Sequence, residues 1–169
     1  MPARRYGASH AAGPSCWAPR GQPWAGGVAE AVNLTSGTQS DPDTWRLRWR
    51  FDAANALSAA PTIADDVVYV GSGDNNPNAI DAATGSRKWA YETGDEVWGG
   101  PAVSGGVVYI GSFDHRLYAL DAATGTKRWS YETNFQISSS PVVAHSTVFA
   151  CSSDQYVYAL DTSARKPAE

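Results

Sequence analysis

The sequence predicts an all-β protein made of β-propeller blades, each with four short antiparallel strands. Three observations carry that reading. Pro61, Pro101 and Pro141 lie 40 residues apart, as do Asp81, Asp121 and Asp161, and Trp49, Trp89 and Trp129. Residues 61–100 laid over 101–140 give 17 identities in 40 positions without a gap. Within each period, short runs of β-branched and aromatic residues alternate with turn residues, and no segment shows a 3.6-residue helical period. Four strands in a period of about 40 residues is the signature of a propeller blade. A doubly wound sheet would need helical crossovers, and an immunoglobulin-like sandwich has no reason to repeat itself at this interval.

The unit reads in order. A proline opens it, followed by a short apolar segment, as in Pro101-Ala102-Val103. Proline fits the start of a strand, where the missing N–H costs least. The small pairs Ala59-Ala60, Gly99-Gly100 and Ser139-Ser140 precede it, as the crowding of inner strands around a propeller axis requires. Leu57, Val97 and Ile137 share one column and are expected to pack between blades. A second strand follows over Val67–Ser72, Val107–Ser112 and Thr147–Ser152. Polar turns come next at Gly73-Asp74-Asn75, Phe113-Asp114-His115 and Ser153-Asp154-Gln155. The third strand is Leu117–Asp121 or Val157–Asp161, and after an Ala-Ala-Thr-Gly turn the fourth runs from Trp129 to Thr133.

Residues 1–40, rich in Gly, Ala, Pro and Ser, are expected to be poorly structured. Residues 41–169 carry the repeats, in units of about 57–96, 97–136 and 137–169, preceded by an outer strand over 45–52. That is about three blades, and closed propellers have typically about four to eight. The reading is therefore an incomplete ring, a partial propeller or fragment. Its terminal blades would expose apolar faces and sheet edges, which favours self-association.

Composition excludes several functions. The net charge of -4 is spread along the chain, which argues against a nucleic-acid surface or a polybasic membrane patch. No segment reads as a membrane span, and the N-terminus has no apolar core of a signal peptide. Cys16 and Cys151 lack metal or disulfide spacing, and His10, His115 and His145 share no ligand pattern. The recurring Asp74, Asp114 and Asp154 invite a calcium ring, but equivalent positions on different blades do not converge, so they read as turn formers. Asn33-Leu34-Thr35 matches a glycosylation sequon.

The most specific signal is Ala79-Ile80-Asp81-Ala82-Ala83-Thr84-Gly85 leading to Trp89, repeated as Ala119-Leu120-Asp121-Ala122-Ala123-Thr124-Gly125 leading to Trp129. It resembles the tryptophan-docking motif of pyrroloquinoline-quinone (PQQ)-like, BamB-type propeller repeats. The Asp can accept hydrogen bonds from the N–H groups of the Thr-Gly turn, and Gly supplies a positive φ. The resemblance implies that Asp81, Thr84, Gly85, Trp89, Asp121, Thr124, Gly125, Trp129 and Asp161 are structural, each Trp lying between neighbouring blades. That role explains seven Trp and eight Tyr against four Phe. The match covers 49–161 and departs from the pattern in three places. Pro77-Asn78 stand where later units have Leu-Tyr and Val-Tyr, which should weaken that strand; Ala164-Arg165 replace Thr-Gly; and residues before Trp49, with Asp41 in register, do not form the turn.

No catalytic triad or phosphate loop is visible, and the quinone- and calcium-holding residues of catalytic relatives find no match residue by residue. The resemblance therefore implies a non-catalytic, cofactor-free interaction scaffold with a protein partner, located outside the cytoplasm or in the cell envelope. The alternative is a fragment of a PQQ-dependent alcohol or sugar dehydrogenase, with PQQ and calcium as its cofactors. Positions that differ between otherwise matching units mark the possible interaction surface: Trp98, Phe113, His115 and Phe135.

Overall fold

The computed structural model describes the backbone of residues 28–32 and all of residues 46–163. Cys16, His10, Asn33, Asp41, Ala164 and Arg165 lie outside the described residues. Among the described residues, thirteen strands form four sheets. The first two are β1 (Val28–Val32) and β2 (Leu47–Asp52), paired antiparallel with Ala31 opposite Trp49. β1 falls within the segment expected to be poorly structured, and a partner strand for β2 was not legible in the sequence.

The first full blade is β3 (Thr62–Ala64), β4 (Val67–Val70), β5 (Asn78–Asp81) and β6 (Arg87–Ala90), in simple meander order. The second repeats it as β7 (Ala102–Ser104), β8 (Val107–Gly111), β9 (Arg116–Asp121) and β10 (Lys127–Glu132). The third has β11 (Val142–Ala144), β12 (Thr147–Cys151) and β13 (Val157–Asp161). β5 starts two residues later than β9 because Pro77 and Asn78 replace the Leu-Tyr pair, and proline cannot donate to the ladder.

Each blade's first hairpin turns on two residues with positive φ: Asp65-Asp66, Gly105-Gly106 and His145-Ser146. Positive φ at both central residues is the tight turn whose twist matches the flanking strands. His145 thus has a backbone role, although its side chain is not of the type this turn prefers.

The core lies between sheets. One cluster joins Val67, Tyr69, Ala79 and Trp89 of the first blade to Val97, Val108, Ile110, Tyr118 and Leu120 of the second. The next joins Val107, Tyr109, Leu117 and Ala119 to Ile137, Val148 and Ala150. β8 is therefore buried along its whole length, whereas in β12 burial alternates, because only Val148 and Ala150 face a neighbouring blade. The small residues are required by these contacts. A Cβ on Gly111 would stand 2.2 Å from Cγ2 of Ile137, and one on Gly99 2.4 Å from the Ser139 carbonyl.

Blade-docking motif and candidate interaction surface

The Asp-Thr-Gly turns are built alike in both complete blades. Oδ1 of Asp121 accepts from the N–H of Ala123 at 3.1 Å and of Thr124 at 3.0 Å, and from the Thr124 hydroxyl at 3.0 Å. The Gly125 N–H closes the turn on the Asp121 carbonyl, with φ at 74°. Asp81 makes the same set with Ala83 and Thr84, and Gly85 has φ at 75°. The ladders β5–β6 and β9–β10 each carry a bulge just before the Trp. A bulge re-aims the side chains beside it. The bulged Arg128 sets its guanidinium 2.7 Å from Asp121, and Lys88 lies 3.7 Å from Asp81. That guanidinium, followed by the Thr124 N–H and hydroxyl, lowers the Asp121 carboxyl to about 2. Asp81 is lowered too, first by the Thr84 hydroxyl.

The glycine of each turn receives the Trp of the preceding sheet. A Cβ on Gly125 would lie 2.6 Å from the Trp89 ring, and one on Gly85 2.7 Å from the Trp49 ring. The indole N–H of Trp89 donates to the Ala122 carbonyl at 2.9 Å, and that of Trp49 to the Ala82 carbonyl at the same distance. Trp129 is half-buried against Tyr109, with ring centroids 5.9 Å apart. Asp161 keeps part of the turn by accepting from the Ser163 N–H and hydroxyl at 2.8 and 2.6 Å.

The opposite end of the sheets carries the differing aromatics. Trp98 stacks on Phe113, with centroids 6.2 Å apart and planes at 29°. His115 stacks on Phe135 at 5.4 Å and 18°. Phe113 and His115 flank Asp114 in the same turn, so the four rings form two stacked pairs joined by that turn. The indole N–H of Trp98 donates to Oε2 of Glu96 at 2.6 Å, which fixes its orientation. Phe135 is 48% exposed and His115 is exposed, so this pair is open to solvent, while Trp98 and Phe113 are half-buried.

Residues that sequence reasoning passed over hold these loops. The Thr133 hydroxyl lies within hydrogen-bond distance of two carbonyls, His115 at 2.9 Å and Phe135 at 2.6 Å, and so brings those two rings together. The buried Ser112 hydroxyl donates to the Asp95 carbonyl at 2.9 Å, tying the turn to the preceding loop. The signal was present: Ser72, Ser112 and Ser152, and Thr93 and Thr133, recur at 40-residue spacing.

The recurring turn aspartates serve their own turns. Oδ2 of Asp114 accepts from the Tyr118 hydroxyl at 2.5 Å and the Gly94 N–H at 2.7 Å, while Oδ1 accepts from Arg116 N–H at 3.0 Å. Asp154 repeats this with Tyr158, Asn134 and Tyr156. Burial, then the bond to Asp114, pushes the Tyr118 phenol well above its usual range. In the first blade Asn78 takes the tyrosine's place, and its buried Oδ1 has no hydrogen-bond partner. Among the described residues no three His, Cys, Asp or Glu side chains converge as a metal site. No helix among them is long and apolar enough to cross a membrane.

The family model described as outer membrane protein assembly factor BamB matches residues 36–99 and 92–167. Among solved structures, BamB from Moraxella catarrhalis is 27% identical with a TM-score of 0.62, over 69% of this chain and 37% of that one. Quinohemoprotein alcohol dehydrogenase from Comamonas testosteroni is 30% identical with a TM-score of 0.57, over 64% of this chain and 20% of that one. The computationally designed Ika4 protein, 16% identical, shares the fold with a TM-score of 0.62. The chain thus spans well under half the length of these two natural proteins. No curated protein matches it.

Proposed function

The chain belongs to the BamB-type family of PQQ-like β-propeller repeats, and from that premise we propose that it is a non-catalytic scaffold that binds a protein partner in the cell envelope. The observation that carries the reading is the pair of ring stacks at one end of the sheets. Trp98 on Phe113 and His115 on Phe135 stand at positions where the otherwise matching blades carry other residues, and they gather at one end of the sheets. Structural repetition explains the docking tryptophans, but it does not call for aromatics there. Aromatic side chains of restricted mobility are the usual anchors of protein interfaces. The carboxylates of the second and third blades' turns are meanwhile spent on hydrogen bonds within their own and the preceding loops. The envelope location rests on the family description.

A photoreactive phenylalanine analogue at position 135, compared with one at position 66 on the opposite end, tests this in cell-envelope extracts. The expected result is a discrete adduct from position 135 alone. No adduct from either position, or one pattern from both, contradicts it.

A further inference from the structure

Charge is distributed unequally between the two ends of the sheets. At the docking end, Lys88 and Arg128 sit against Asp81 and Asp121, so positive and negative groups offset each other. At the aromatic end, the loops and turn around the ring stacks, residues 91–100, 113–116 and 131–138, hold Glu92, Asp95, Glu96, Asp114 and Glu132. Their one arginine, Arg116, is paired with Glu132 at 2.5 Å. Glu92 and Asp95 are exposed in the loop that carries Trp98, and Glu96 already orients the Trp98 indole. Ring faces bordered by carboxylates attract cations twice over, through the ring quadrupole and through the negative potential.

We propose that this strip docks a cationic segment of the partner protein, one that places Arg or Lys side chains over Phe135 and Trp98 and beside Glu92 and Asp95. The inference rests on the scaffold reading above and adds the chemistry of the partner. Apolar stems of the arginines or lysines would lie along the rings while the charged heads reach the carboxylates. A guanidinium suits the site better than an ammonium, because its flat face stacks on a ring while its N–H groups still reach an acid.

The test is calorimetric titration of the 169-residue chain with three decapeptides of equal length, alternating Leu with Arg, with Glu or with Ser. The arginine peptide is expected to bind, to lose about tenfold in affinity in F113A/F135A, and to weaken between low salt and physiological salt, as exposed cation–π and ion pairs do. The double variant's circular dichroism and thermal midpoint report whether it is folded. D95N combined with E92Q keeps the rings and should also weaken binding severalfold. Absence of arginine-peptide binding overturns the inference, as does binding that neither set of variants changes. Binding of the Ser or Glu peptide at the strip instead would sink the cationic partner and leave the scaffold reading standing.

Discussion

The indole N–H of Trp89 donates to the carbonyl of Ala122, 33 residues away in the next blade, at 2.9 Å. Trp49 and Ala82 repeat the relationship one blade earlier at the same distance. Each bond crosses a blade boundary at the glycine that leaves room for the ring. Blade-to-blade cohesion thus combines these indole bonds with the apolar clusters packed between the sheets.

Truncating Trp89 should cost more than losing its hydrogen bond. W89F keeps most of the ring and is expected to destabilise by about 1 kcal/mol, the net worth of one such bond. W89A should cost about 3–5 kcal/mol, as large-to-small core changes do. Urea denaturation of the two variants measures the difference.

Gly125 is required for two separate reasons. Its φ of 74° strains any side chain, at roughly 1–3 kcal/mol, and a Cβ would stand 2.6 Å from Trp89. G125A should therefore destabilise more than G105A, whose φ of 57° is also positive but whose Cβ meets nothing within 4 Å. Equal midpoints in denaturant for the two variants would remove the steric half of this explanation.

The Asp121 turn predicts a pH dependence. Its carboxyl is lowered to about 2, first by Arg128 and then by Thr124, so the folded state binds this proton less readily than the unfolded chain. The stabilisation is present above the ordinary aspartate value of about 4 and is lost as pH falls towards 2. R128M should raise the Asp121 titration midpoint and move that loss to higher pH. Carboxyl-carbon NMR of Asp121 in both proteins checks it.

The outward face of the third blade predicts self-association of the chain on its own. Val142, Phe149 and Val157 are 61%, 38% and 68% exposed, whereas Tyr109 and Leu117, which hold the columns of Phe149 and Val157 in the second blade, are 2% and 1% exposed. Cys151 occupies the column of Gly71 and Gly111, where the next blade's Val97 and Ile137 leave no room for a Cβ. F149D/V157K should shift the chain towards monomer in light scattering over a concentration series.

Much of the fold was legible because it is repeated. Proline, aspartate and tryptophan at fixed spacing mark the sheets β3–β6, β7–β10 and β11–β13 among the described residues, and Pro77-Asn78 foretold the short β5. Other features were hidden for physical reasons. His145-Ser146 makes the same hairpin turn as Gly105-Gly106 without the residues that announce it, because flanking strands impose the conformation. β1 is held by pairing with β2, a tertiary contact that local composition does not encode. At the aromatic surface, sequence differences between repeats picked out Trp98, Phe113, His115 and Phe135, but which ring meets which depended on loop geometry set by Thr133 and Ser112.

Titration of the chain with PQQ in the presence of calcium, followed by calorimetry and a dye-linked alcohol oxidation assay, tests the central claim most directly. A non-catalytic scaffold shows no saturable quinone binding and no alcohol-dependent dye reduction. Stoichiometric quinone binding accompanied by turnover would contradict it.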